Sequence, residues 1–204
     1  MSAATGGGAG GGAGEELVVL LDERGEAIGT TPKRGVHHAD TPLHLAFSCY
    51  LFDGTGRLLM TRRALHKPTW PGAWTNSVCG HPAPGEPVVD AVRRRVLDEV
   101  GLRAEAVRLM LPGFRYRAVM PNGVVENEMC PVYVAVSSDD LAPNPDEVDD
   151  ATWVDWTEFR AGVLDGSREI SPWCRQQVEL LPEDPLGGVE QPLSALPPAA
   201  RVVR

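Results

Sequence analysis

A chain of 204 residues, 43% of them hydrophobic, is long enough to bury one substantial core and is most simply a single domain. Its formal net charge of −9 argues against nucleic acid as a partner and against electrostatic docking on an acidic membrane surface. Four cysteines without a Cys-x-x-Cys pair, no basic residue before Arg24 and no early apolar run longer than Leu17–Leu21 argue against a disulfide framework, a secretory signal or a membrane anchor, so the expectation is reduced thiols in a cytoplasm.

Residues 1–14 are almost all Gly and Ala, a composition that cannot bury enough surface to offset its chain entropy, and a disordered head is expected there. Leu17–Asp22 and Ala27–Thr30 flank the turn Glu23-Arg24-Gly25-Glu26 and predict a hairpin. Leu45–Phe52 and Leu58–Thr61 around Asp53-Gly54-Thr55-Gly56 predict a second. Apolar residues at 88, 91, 92, 96 and 100 have helical spacing, and Gly101 is placed to close that helix. Val107–Leu111 and Phe114–Val119 read as strands, and Pro121-Asn122-Gly123 turns the chain into a long strand over Val124–Val136. A strand over Thr152–Asp155, a short helix over Thr157–Leu164 and a last helix from Ser171-Pro172 to Leu181 complete an α+β domain over residues 15–181, a mixed sheet with helices packed on it. Residues 182–204 are Pro- and Gly-rich and read as a tail.

The segment from Trp70 to His81 concentrates two tryptophans, a cysteine and a histidine between glycines and prolines. Cys79 and His81 are two apart, so an extended backbone puts both side chains on one side, where they could form a metal site, an acid/base pair or a nucleophile with its base. His37, His44 and His81, with Glu126 and Glu128 on one face of a predicted strand, suit a divalent ion such as Mn²⁺, Mg²⁺ or Zn²⁺. The carboxylates lead into the apolar run 129–134, where a buried charge needs a partner. Arg95 and Glu99 are i, i+4 neighbours and taken alone read as a surface ion pair. Basic residues bunch at Lys33-Arg34, Arg62-Arg63, Lys67, and Arg115 with Arg117, which suits a phosphate-bearing ligand.

The spacing Gly80-x5-Glu86-x7-Arg94-Arg95-Val96-Leu97-Asp98-Glu99-Val100-Gly101 resembles the Nudix box, a loop-helix-loop that binds metal-diphosphate. It departs from the box where Arg95 stands at the second Glu and Asp98 at the first of the paired Glu, which thins the acidic cluster used in hydrolysis while keeping the fold. Together with Leu43 to Ser48, Thr61 to Leu65, Trp70 to His81, Phe114 to Arg117 and Glu126 to Glu128, the chain from about Leu17 to Leu181 is similar to the type I isopentenyl diphosphate isomerases.

That resemblance implies a Nudix-type mixed β-sheet sandwich flanked by helices and an isomerase that interconverts isopentenyl and dimethylallyl diphosphate in isoprenoid biosynthesis. It implies Cys79 and Glu128 as the facing acid/base pair and Tyr116 as a hydroxyl beside the glutamate. His37, His44, His81, Glu126 and Glu128 would ligate one metal, Mn²⁺ or Mg²⁺ with Zn²⁺ as an option; His37 is chosen over its neighbour His38 because it stands seven before His44. Glu99 would hold a second, diphosphate-linked Mg²⁺. Lys33, Arg63, Lys67 and Arg95 would contact the diphosphate, and Trp74 and Trp173 are candidates for π-faces around a carbocation-like centre. The expected partner is a small prenyl diphosphate, with no nucleic acid or membrane, and the expected state a monomer or weak homodimer. The rivals are a Nudix hydrolase of a nucleoside or prenyl diphosphate, and a non-catalytic zinc-binding module.

Overall fold

The computed structural model describes residues 15–202, so the expectation for residues 1–14 lies outside it. In chain order the strands are β1 (Leu17–Leu21), β2 (Ala27–Pro32), β3 (His44–Leu45), β4 (Phe47–Phe52), β5 (Arg57–Arg63), β6 (Trp74–Thr75), β7 (Val78–Gly80), β8 (Glu105–Leu111), β9 (Arg115–Val119), β10 (Val125–Met129), β11 (Val132–Val136) and β12 (Val148–Asp155). The helices are α1 (Val88–Val100), α2 (Trp156–Leu164) and α3 (Pro172–Leu180). Five strands form one sheet in the order β2-β1-β3-β10-β9, and seven form another around β12-β5-β4-β11-β8, with β6 on β5 and β7 on β4.

Two predicted strands each serve both sheets. The run expected over Leu45–Phe52 breaks at Ala46, so β3 stays in the first sheet while β4 enters the second. The run expected over Val124–Val136 breaks at Cys130-Pro131, because proline has no N–H to continue a ladder. The crossings run side by side. β3 and β10 are parallel with His44 opposite Glu128, and β4 and β11 are parallel with Ser48 opposite Val132. Between them, the Ala46 and Ser48 amides donate to the Met129 and Pro131 carbonyls at 2.9 and 3.1 Å. The strands β6 and β7 were not predicted; they hold two and three residues in a stretch punctuated by Pro and Gly, too short to show a period.

The seven-stranded sheet is covered on both faces, which is why β4 is buried at every position. Phe47, Cys49 and Leu51 belong to the core under α1, with Val88, Val92, Val96 and Val100. Tyr50 and Phe52 belong to the core under α2 and α3, with Phe159, Trp173, Cys174 and Val178. A buried valine of this kind contributes about 1.5–3 kcal/mol. Part of the segment 182–202 packs on this body: Leu196 and Ala200 are buried, and the Ala199 amide donates to the Gly25 carbonyl at 2.9 Å.

Helix α1 spans the predicted residues and ends at Gly101, which takes φ 71° and donates its N–H to the Leu97 carbonyl at 3.0 Å. A Cβ there would stand 2.7 Å from the Ala142 carbonyl oxygen, in a conformation that L side chains avoid. Gly101→Ala is therefore expected to cost about 1–3 kcal/mol, read as a melting temperature lower by roughly 2–10 °C; an unchanged melt would show that the helix end is not under this constraint.

Candidate active site

The crossing strands bring Glu128 to the centre of a cavity of about 400 Å³. Glu128 on β10 is flanked in the sheet by His44 on β3 and Tyr116 on β9. His37 and His81 come from outside this sheet, His81 directly after β7. Glu128 Oε1 lies 3.2 Å from His81 Nε2, 3.4 Å from His44 Nε2 and 3.9 Å from His37 Nε2. Its Oε2 accepts the Tyr116 hydroxyl at 2.9 Å, and that hydroxyl is also 3.0 Å from Glu126 Oε2. Burial alone would push the Glu128 carboxyl up, but the three imidazoles outweigh it and hold the group well below the usual carboxylate range. Glu126 moves the other way, raised by burial and by the Glu128 charge beside it. The two neighbouring carboxyls are thus pushed apart.

One ligand atom each from His37, His44, His81 and Glu128 lies within 4.8 Å of all the others, and this group can bind a metal ion. His44 Nδ1–H donates to the Pro42 carbonyl at 2.9 Å, so Nε2 is the ring atom left to face the carboxylate and, once it gives up any proton, to take a metal. That atom lies 3.4 Å from Glu128 Oε1, and His44 Nε2 and His37 Nε2 are buried without a hydrogen-bond partner. A cation among these atoms satisfies all of them, so the residues fit a divalent metal. His38 is not in the group; its Nδ1 accepts the Asp40 amide at 3.1 Å. Glu126 lines the same cavity but stands outside the compact four.

Cys79 comes from the other sheet, on β7 opposite Ser48. Its thiol donates to Asn76 Oδ1 at 3.3 Å and lies 3.3 Å from Ser48 Oγ. Burial pushes it up to about 12 against the pull of those hydrogen bonds, so at neutral pH it carries its proton. Asn76 Oδ1 also accepts Trp173 Nε1–H at 3.2 Å and the Thr75 hydroxyl at 2.9 Å, while its Nδ2 donates to the Cys49 and Val78 carbonyls. One amide therefore orients both the thiol and the indole. The Trp173 ring packs 5.7 Å from Tyr116 and 5.7 Å from Trp70, centroid to centroid, and lines the cavity. Trp74 does not line it; it lies beneath the Arg62 guanidinium at 5.5 Å.

The remaining wall is basic. Lys33, Arg34, Arg63, Lys67 and Arg95 all line the cavity, with Glu99 and Glu147 among them. Arg95 and Glu99 are not a surface pair, as their spacing suggested. Both are 8% exposed, and Arg95 Nε and Nη2 donate to Glu99 Oε1 at 3.0 and 2.7 Å. Burial would lower the Arg95 guanidinium, but Glu99 and Glu147 raise it and keep it charged. Arg63 donates to the Thr69 carbonyl and hydroxyl at 3.1 Å, and Lys33 pairs with Glu16 at 2.7 Å. The other expected bases lie elsewhere. Arg62 pairs with Asp149 at 2.5 Å, Arg115 pairs with Glu23 at 2.5 Å, and Arg117 is not part of the wall.

Asn76, Ser48 and Glu147 were not singled out from the sequence. A signal existed for the first: Thr75-Asn76-Ser77 is a polar run, and all three side chains prove buried, which polar groups accept only when hydrogen-bonded. Ser48 and Glu147 carry no such local mark.

A family model described as the NUDIX domain matches residues 42–174. The chain is 60% identical to the isopentenyl-diphosphate Delta-isomerase of Saccharopolyspora erythraea over 168 residues, covering 82% of this chain and 87% of that one. It is 58% identical to the protein of that name from Mycolicibacterium vanbaalenii, covering 81% and 91%, and 53% identical to that from Rhizobium rhizogenes, covering 84% and 82%. Among solved structures, a Deinococcus radiodurans protein superposes with a TM-score of 0.61 at 20% identity over 80% of this chain and 98% of that one. A Burkholderia pseudomallei MutT NUDIX hydrolase does so with a TM-score of 0.53 at 22% identity, over 69% and 98%. At those identities the likeness shows the fold alone. The mixed sheets with helices, in one domain, are of the NUDIX type.

The imidazole cluster makes a direct prediction. Replacing His44 and His81 together by alanine leaves one imidazole and the carboxylates, and divalent-metal affinity should fall by more than about 100-fold. Metal analysis of the purified double variant checks this; full occupancy would refute the assigned ligands.

Proposed function

The chain belongs to the isopentenyl-diphosphate Delta-isomerase family, built on a NUDIX domain, and interconverts isopentenyl and dimethylallyl diphosphate; we propose that it does so by moving protons between Cys79 and Glu128 across the cavity while the basic wall holds the diphosphate. The observation that carries this reading is the origin of the two groups. Cys79 belongs to the seven-stranded sheet and Glu128 to the five-stranded sheet, and both line one cavity that Lys33, Arg34, Arg63, Lys67 and Arg95 also line.

A 1,3-shift of a double bond adds a proton at one end of an allylic unit and removes one from the other. The resting pair supplies both partners, an S–H acid held protonated by burial and a carboxylate kept ionised by its imidazoles. Protonation of the alkene creates a tertiary, carbocation-like centre that water would trap, so the walls around it must be apolar and anionic rather than wet. Trp173 and Tyr116 supply π-faces, and Glu128 supplies fixed negative charge. The Tyr116 phenol, raised well above its ordinary value by burial and the two carboxylates, stays protonated and positions Glu126 and Glu128 through its hydroxyl.

His37, His44, His81 and Glu128, with Glu126 beside them, would hold a divalent ion, for which Mn²⁺ or Mg²⁺ is our first choice and Zn²⁺ our second. When bound it fixes these side chains and lowers the cost of gathering carboxylates there. Glu99, assigned to a second Mg²⁺ that accompanies the diphosphate, shares the basic wall with Lys33, Arg63, Lys67 and Arg95. Hydrolysis is disfavoured because Arg95, buried against Glu99, stands where the NUDIX box has a metal-gathering glutamate. No helix among the described residues is long and apolar enough to cross a membrane, and the unpaired cysteines accord with a reducing, cytoplasmic location.

The test is purified protein with Mg²⁺ and isopentenyl diphosphate, the product identified by NMR. Cys79→Ala should lower kcat by about 10³-fold or more with the fold retained, and Cys79→Ser should recover little. Tyr116→Phe, which leaves the acid/base pair in place, should lose less, about 10-fold to 100-fold. Turnover by the alanine variant at the wild-type rate would remove Cys79 from the mechanism.

A further inference from the structure

Three groups on the basic wall are already engaged with one another. Glu147 Oε2 accepts the Lys67 ammonium and lies 3.2 Å from Arg95 Nη2. Both cations are assigned above to the diphosphate, so the substrate and Glu147 compete for the same N–H donors. We propose that Glu147 is a positioning residue for the diphosphate end of the site: an internal counter-ion that keeps Lys67 and Arg95 aligned in the cavity and is exchanged for the diphosphate when substrate binds. The inference rests on reading this wall as the diphosphate site.

Burial separates this pair from an ordinary surface bridge. The side chains of Lys67 and Glu147 are 20% and 21% exposed, and that of Arg95 is 10% exposed. The Lys33–Glu16 pair at the cavity mouth is 31% and 60% exposed, the setting in which ion pairs are worth little. With no acceptor at position 147, Lys67 and Arg95 would have only Glu99 to balance them and repulsion would drive the lysine toward water, whereas a glutamine there keeps an acceptor in place while removing the charge.

The place of Glu147 is fixed by backbone and not by the ion pair. Its N–H donates to the Asn144 carbonyl, and its own carbonyl accepts the Ala64 amide, each at 3.0 Å. The next residue, Val148, opens β12 opposite Arg63. Glu147 is thus built into the same strand pair that carries Arg63, and its carboxylate can release the cations without the loop moving.

One carboxylate is also a weaker partner than the ligand it would yield to. A diphosphate carries two linked phosphoryl groups with about three negative charges, and once one group is held the second binds as if at high local concentration. It can engage Arg63 as well, whose guanidinium is held by the neutral acceptors of Thr69. The exchange therefore favours the diphosphate, while its affinity is lowered by the Glu147 contacts that must be given up.

Calorimetry with inorganic pyrophosphate at fixed Mg²⁺ tests this without turnover. Glu147→Gln keeps the shape and removes the charge, and pyrophosphate should bind roughly 3- to 10-fold more tightly. Glu147→Asp, which keeps the charge on a shorter arm, should fall between that variant and the wild type. In a Lys67→Met background the gain from Glu147→Gln should shrink, because one of the two cations it frees is gone. A purely structural role for Glu147 predicts no such coupling. Weaker pyrophosphate binding in Glu147→Gln would make this carboxylate a ligand for the diphosphate's Mg²⁺ and overturn the proposal. Unchanged binding, or a defect confined to kcat, would overturn it equally while leaving the isomerase reading intact. No pyrophosphate binding by the wild-type protein would remove the diphosphate site itself.

Discussion

A carboxylate taken out of water is the constraint on which this site depends. Glu128 is 5% exposed, and leaving such a charge unpaired would cost several kcal/mol. Its partners arrive because of register. Three adjacent strands place His44, Glu128 and Tyr116 in one row, and a slip of one residue would turn Glu128 to the other face of the sheet. The paired crossing of β3–β4 and β10–β11 makes that row a wall and not an open surface, since both strands leave the sheet immediately beyond it. The same imidazoles that keep the carboxylate ionised can hold a metal ion, so pairing, ionisation and ligand supply rest on one arrangement.

The opposite wall is organised by an amide and not by a charge. Asn76 is fully buried and uses both ends of its side chain, donating to two backbone carbonyls and accepting from Thr75, Cys79 and Trp173. Each of those bonds is worth only about 1 kcal/mol net, but an unsatisfied buried amide is costly, so the group is held in one orientation. Through it the thiol and the indole are oriented together. An acid on a neutral, hydrogen-bonded wall and a base on an ionic one keep their protonation states distinct at neutral pH.

Much of this was legible in the sequence because local chemistry and long motifs agreed. Helix α1 announced itself by its valine spacing and Gly101, and the Cys79/His81 and Glu126/Glu128 pairs announced their shared faces by two-residue spacing. His37 was told from His38 only by the family's spacing, and the structure puts His37 in the cluster. What did not show was long-range. Leu45–Phe52 and Val124–Val136 look like single strands because nothing in an apolar run marks a change of sheet, although Pro131 was a hint in the second. Arg95–Glu99 taken alone reads as a surface pair because helical spacing says nothing about what the helix packs on, and only the resemblance placed the two residues in the site. Glu147 lies 48 residues beyond Glu99, counting along the chain, and meets Arg95 only through the fold. Arg62 and Arg115 were grouped with the ligand bases on sequence proximity alone, and tertiary structure pairs them elsewhere.

The central claim is that chemistry occurs at the hydrocarbon end, between Cys79 and Glu128, with the diphosphate serving as a handle. Turnover in D₂O followed by NMR tests it most directly. Protons delivered by side chains that exchange with solvent should leave deuterium on carbon in dimethylallyl diphosphate, and the label should accumulate as the substrate is interconverted repeatedly, with no comparable release of phosphate or pyrophosphate. Release of phosphate without carbon-bound deuterium would contradict the account and make the site that of a hydrolase.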